Sequence, residues 1–293
     1  MLSLLFRNHK ERGLKMLKDI IKKPKLNTLE ALIVSRNIYK NNSKTFLMIL
    51  LLAWIPINII LTILTFKVGE ISLSPKIFTD IEFAKQFAAS EGGQLFILYN
   101  IVANLIVMFF KPIGLMAIAL VSRDFIFEHK TNFKTALKIA FSKGVYMIPA
   151  VILYFILTSA GFMFFVIPGI MVMILLYYYL YAIILDNKTT LSSLKQSFML
   201  TNRSIIKSGI TIGIVMLMNY LVSYGIDSLL YWGYNNFIIQ IISRSLCSFF
   251  DIIFVIVFTI IYLNRLYNNP NLPNPTAPVY ESDSSKKMNI DIK

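Results

Sequence analysis

The chain has 293 residues, of which 56% are hydrophobic and only 15% charged, with a formal net charge of +14. Soluble domains carry about 25% charged residues, so this composition, with a mean hydropathy of +0.66, excludes a soluble core. No nucleic-acid motif or aromatic-interleaved basic groove accompanies the positive charge, and the single Cys247 excludes an internal disulfide and a cysteine-based metal or redox motif.

In chain order, residues 1–27 come first and read as a basic amphipathic helix. Leu14, Leu17 and Ile21 recur at helical spacing among Lys15, Lys18 and Lys22, until Pro24 ends the pattern. Leu2, Leu4, Leu5 and Phe6 precede Arg7, Lys10 and Arg12, the reverse of a secretory signal, so this end is expected to stay in the cytoplasm. Six apolar stretches follow, at 45–66, 101–121, 145–163, 165–185, 208–229 and 246–264. Each is long enough to cross a hydrocarbon core of about 30 Å as helix, at about 1.5 Å per residue. The predicted fold class is all-α: a polytopic membrane protein with six transmembrane helices as three hairpins, each preceded by a basic amphipathic interfacial helix, in one domain over 28–265. Residues 266–293, with Pro270, Pro273, Pro275 and Pro278, are expected to be a disordered cytoplasmic tail.

Orientation follows from Lys and Arg. Eleven precede the first span, whereas the 67–93 loop sets Lys67, Lys76 and Lys85 against Glu70, Asp80, Glu82 and Glu91. The loops at 122–144 and 186–207 are basic, and the 230–245 connection has only Arg244 beside Tyr231, Trp232 and Tyr234, which suit an interfacial aromatic belt. Both termini are therefore expected in the cytoplasm. The lean toward Ile, Lys and Asn resembles an AT-rich bacterial coding bias, so the expected location is a bacterial cytoplasmic membrane.

A self-comparison predicts a parallel threefold repeat. Thr28-Leu29-Glu30-Ala31-Leu32 with Ser35, Phe133-Lys134-Thr135-Ala136-Leu137 with Ala140, and Thr190-Leu191-Ser192-Ser193-Leu194 with Ser197 share a pattern of small residues, each just before a hairpin. Phe133, Ala136, Leu137, Ala140 and Phe141 mark one face of the second copy. Lys134, Lys138 and Lys195 are expected to face anionic lipid.

Ile167-Pro168-Gly169-Ile170, the Tyr-rich 177–181, Ile183-Ile184-Leu185-Asp186 and Ser193-Leu194-Lys195-Gln196-Ser197, with the opening Ala31-Leu32 through Ser35 to Tyr39-Lys40-Asn41-Asn42, resemble the glycerophosphodiester phosphodiesterase membrane-domain family and its YciC-like, uncharacterised bacterial relatives. The resemblance implies a six-helix membrane domain without the catalytic domain. Its His-Arg-Gly signature and metal-binding carboxylates have no counterpart beside His9 and His129, so it implies no hydrolase activity.

Several residues within the spans invite a role. Pro168-Gly169 reads as punctuation at the start of the fourth span, the Gly allowing a tight turn. Pro56 and Pro112 are expected to kink the first and second spans. A charge as deep as Lys111 costs about 3 kcal/mol on insertion scales and should face protein or water. Lys111, with Asp227, Arg244 and Asp251, forms a possible intramembrane polar site, the last three as an ion cluster. Asn100, Asn104 and Asn219 are expected interhelical hydrogen-bond donors. No catalytic constellation, metal set or cofactor motif is present, so no cofactor is expected. The reading is a non-enzymatic membrane protein accessory to lipid organisation, export or protection against membrane-active peptides. Its expected partners are anionic membrane lipids and a membrane-protein partner or ABC transporter components. A small-solute transporter is the alternative, a lipid-modifying enzyme the remoter one.

Overall fold

The computed structural model describes residues 19–24, 26–69, 80–230 and 236–272. Among these every regular element is helical, and six helices are long and apolar enough to span a membrane. The chain is an all-α polytopic membrane protein. Most of the N-terminal helix expected over 1–27, the Tyr231/Trp232/Tyr234 belt and the tail beyond 272 lie outside the described residues.

The first span begins earlier than its apolar stretch. Helix α1 (Thr28–Ile49) opens where the Glu30 carboxylate accepts from the Asn27 N–H at 3.3 Å, and runs through a kink at Asn42 (φ −122°, ψ 17°). Asn41 and Asn42 there donate back to the carbonyls of Asn37 and Ile38, the competition with the helical ladder that bends helices. The first interfacial helix is thus fused to its span. A π-helical turn, Leu50–Trp54, leads into α2 (Ile55–Gly69). Pro56 stands just after this turn: its ring would clash with the carbonyl four residues back, and the wider turn relieves that clash.

Between the first two spans, α3 (Ile81–Ala89) occupies part of the expected 67–93 loop, started by Asp80, which accepts from the N–H groups of Glu82 and Phe83. Ser90 then caps α4 (Glu91–Ile126), which starts ten residues ahead of its apolar stretch and carries Pro112 inside it. Four shorter elements and three long ones complete the described residues: α5 (Phe133–Ser142), α6 (Gly144–Phe164), α7 (Val166–Leu176), α8 (Tyr179–Leu185), α9 (Thr190–Asn202), α10 (Ile205–Leu229) and α11 (Phe237–Tyr267), with α6, α10 and α11 as spans and α7 and α8 together as the fourth.

Helices α4, α8 and α11 form the centre, α11 packing on α1, α2, α4 and α10. The third and fifth spans lie outside it. In α10 only Ser208, Ile212 and Val215 are buried, leaving its large apolar side chains for lipid.

All three repeat copies bury their small pair completely: Ala31 and Ser35, Ala136 and Ala140, Ser193 and Ser197. Small residues let these helices lie close against the spans, α1 on α11 and α4, α5 on α4, α9 on α8 and α7. Ser197 also accepts from the Tyr178 N–H and donates to the Leu175 carbonyl, satisfying the backbone where α7 breaks into α8. Lys134, Lys138 and Lys195 lie on the exposed faces.

The α6–α7 hairpin turns at Phe165 alone. Gly169 is needed for closeness rather than for turning, since no described glycine has positive φ: a Cβ on Gly161 would meet the Gly169 Cα at 2.9 Å, and one on Gly169 would strike the Phe162 ring at 2.4 Å.

Candidate functional site

The four ionisable residues singled out within the spans line one cavity of about 420 Å³, reached by α2, α4, α10 and α11. It exists because α10 packs on α11, α7 and α9 but not closely on α2 or α4. Each charged group has its own partner. Lys111 Nζ lies 3.0 Å from Asp251 Oδ2, whose other oxygen accepts from Asn219 at 2.6 Å. Asp227 accepts from Ser243 Oγ at 2.5 Å, and Arg244 donates to Thr65 Oγ1 at 2.8 Å. The expected Asp227–Arg244–Asp251 ion cluster therefore does not form as such: Lys111, coming from the facing helix, takes Asp251. Asn58 and Ser248 add a buried hydrogen bond of 3.0 Å on the α2–α11 side.

Lys111 is held against the π turn that precedes α2. Trp54, closing the π turn and almost fully buried, donates from Nε1 to the Lys111 carbonyl at 3.1 Å, and its ring lies under the ammonium at 5.8 Å from the centroid. The indole fits only because residue 114 is glycine, where a Cβ would come within 2.2 Å of Nε1. The π turn and Gly114 thus act together to seat one tryptophan beneath one lysine.

A second cavity, of about 640 Å³, adjoins the first. The two share Trp54, Val107, Lys111, Asn219, Ser223 and Asp251 in their walls. Their characters differ. The first extends toward the ends of the spans where Asp227, Arg244 and Gln240 sit. The second extends toward the basic end through Leu115, Val151, Tyr154, Val215 and Phe258, and is apolar and aromatic. They meet along these shared residues, the polar cavity on one side and the apolar one on the other. Cys247 lines the polar part and is half-buried.

Of the three asparagines expected to bond between helices, only Asn219 does so. Asn100 and Asn104 donate to the carbonyls of Phe96 and Asn100 in their own helix, because the surface of α4 there faces away from the bundle.

At the basic end lies a polar knot absent from the expected site. Arg123 and Asp124, both buried, pair at 2.6 Å, and Arg123 also donates to the Leu185 carbonyl at 2.9 Å. Thr131 donates to Asp124. Asp186 accepts from both Gln196 and Tyr262, which themselves are 2.7 Å apart. Burial pushes the Asp186 carboxyl above its ordinary range, while these hydrogen bonds and the nearby Lys188 and Arg123 partly offset the rise. Arg265 donates to Ser208 at 2.6 Å and covers the Tyr178 ring. These contacts join the second, fourth and sixth spans to α9. The signal for them in the sequence was an Arg-Asp pair closing one apolar run and a lone Asp closing another, where an unpaired charge would be costly.

Among the described residues no three His, Cys, Asp or Glu side chains are grouped as metal ligands. Comparisons with protein-family models, characterised proteins and solved structures give no match to this chain, so its site is read from its own geometry.

Proposed function

We propose that the chain is a non-enzymatic lipid-handling protein of a bacterial cytoplasmic membrane, accessory to lipid organisation, export or protection against membrane-active peptides. The single observation that carries this reading is the pair of cavities meeting at Lys111, Asn219 and Asp251, one polar and one apolar. A membrane lipid has this division along its length, and both volumes fall within the roughly 300–1,000 Å³ of ligand sites. Exposed Lys134, Lys138 and Lys195 support a second engagement, with anionic lipid at the basic face, each basic residue contributing about 1 kcal/mol near such a surface. A small-solute transporter is the rival, favoured by the charged lining of the polar cavity alone.

Native mass spectrometry of the protein extracted in mild detergent tests the reading. Wild type is expected to retain a lipid that Met108→Trp, filling the apolar cavity, displaces without lowering thermal stability. Wild type free of lipid would overturn the proposal in favour of the transporter.

A further inference from the structure

The charges around the polar cavity are balanced in a way that selects among headgroups. Lys111 and Asp251 neutralise one another at the junction with the apolar cavity. Asp227 and Arg244 remain: among the described residues neither is in an ion pair, and each has one hydrogen-bonded partner, Ser243 and Thr65 respectively. Both line the same cavity, and the residue that donates to Asp227 directly precedes Arg244 on α11. Asp227 comes from the end of α10, and Arg244 reaches toward α2.

Their depth suits a headgroup. Asp227 stands two residues from the end of α10 and Arg244 seven from the start of α11, about 3 Å and 10 Å along the helices. The apolar cavity begins deeper, at the Lys111 level, and continues toward the opposite end. A lipid lying in the leaflet away from the basic face has its head at the first level and its chain at the second.

We propose that this site takes a zwitterionic amphiphile, with anionic oxygens on the Arg244 guanidinium and an ammonium on the Asp227 carboxylate, as in an ammonium-bearing phospholipid. A guanidinium presents paired donors that match a phosphate, and a carboxylate accepts from an ammonium with charge assistance. Among the described residues, the four charged ones lining the cavity sum to zero. A net anion would leave Asp227 opposed to it; a zwitterion satisfies both remaining groups. This inference deepens the lipid-handling reading and rests on it.

Cys247 lines the same cavity and is the only cysteine, so its alkylation rate reports occupancy. The full-length protein, delipidated in detergent, is titrated with phosphatidylethanolamine, with phosphatidylglycerol of the same chains, and with soluble glycerophosphoethanolamine. Phosphatidylethanolamine is expected to protect Cys247 at about tenfold lower concentration than phosphatidylglycerol, as one charge-assisted contact predicts. Asp227→Asn, which keeps an acceptor for Ser243, is expected to erase or reverse that preference. Arg244→Gln, which keeps a donor for Thr65, is expected to weaken protection by both lipids. Equal protection by the two lipids in wild type, or an unchanged preference in Asp227→Asn, overturns the headgroup assignment while leaving lipid handling intact. Protection by neither lipid overturns lipid handling itself. Equal protection by the soluble headgroup supports the zwitterion and overturns the lipid as its source.

Discussion

Lys111 shows what one residue can and cannot disclose. Its depth in an apolar stretch demands a partner, but the partner lies 140 positions later, at Asp251, and the tryptophan beneath it 57 positions earlier. Removing the ammonium leaves the largely buried Asp251 with only Asn219 as a partner. Lys111→Met is therefore expected to destabilise the protein by about 1–3 kcal/mol, and Lys111→Met with Asp251→Asn to recover most of it, measured as thermal stability in detergent. A single variant as stable as wild type that has lost its lipid would mean the pair serves the ligand and not the fold.

Asp186 gives a pH prediction at the same scale. Its carboxyl titrates above its unfolded value because it is buried, so the folded state binds the proton more tightly. The sign follows: the contribution favours the folded state at acid pH and is lost as pH rises through the folded pKa. Asp186→Asn keeps a carbonyl for Tyr262 and Gln196. It is expected to match wild type at acid pH and to exceed it at neutral pH, with the difference between the two melting curves carrying the titration.

At the scale of elements, the repeat units share more than their small pairs. Asn27, Asn132 and Thr189 precede α1, α5 and α9 at the same offset from the small residue, four positions before Ala31, Ala136 and Ser193. Asn132 accepts from the Thr135 N–H at 2.8 Å. N-caps of this kind were legible and would have fixed the helix starts. The buried side of each helix is set by its contact with a span: Ala136→Leu is expected to destabilise by about 1–3 kcal/mol through overpacking, while Lys134→Leu, exposed on the same helix, leaves thermal stability unchanged. Equal effects would mean that α5 lies free on the membrane surface.

The α6–α7 hairpin is the shortest pair of spans, and no charge falls between Lys143 and Asp186. Its tip exposes Met163, Phe164, Phe165, Val166 and Ile167 in succession. Such a surface is unfavourable in water, so the tip belongs within the bilayer. A cysteine at Phe165, in a Cys247→Ser background, is expected to resist an impermeant maleimide from either side of the membrane.

For the molecule as a whole, the basic loops predict that cysteines at Ser142 and Ser192 react with the same reagent only after lysis, whereas one at Asn235 reacts on intact spheroplasts. Labelling of Ser142 from outside would reverse the orientation. The buried Arg123–Asp124 pair cancels its own charge, so the bias rests on the exposed lysines, Lys134, Lys138 and Lys195 among them. Replacing those three with Gln is expected to reduce co-purifying anionic lipid while leaving the occupancy of the inter-span cavity, read by Cys247 alkylation, unchanged. A parallel fall in both would mean one lipid site rather than two.

The six spans, their hairpin order and the helices before them were determined by the sequence alone, because a bilayer demands long apolar runs whose backbone is satisfied locally, and length and hydropathy are local properties. The site was legible only as separate suspects. Lys111, Asp227, Arg244 and Asp251 were each conspicuous as charges among apolar neighbours, but pairing in three dimensions is not local. Only the tertiary structure gave Asp251 to Lys111 and Asp227 to Ser243, turned Asn100 and Asn104 back on their own helix, and seated Trp54 against Gly114. It also held α10 away from α2 and α4, and the space left between them, polar above Lys111 and apolar below, depends on how whole helices pack.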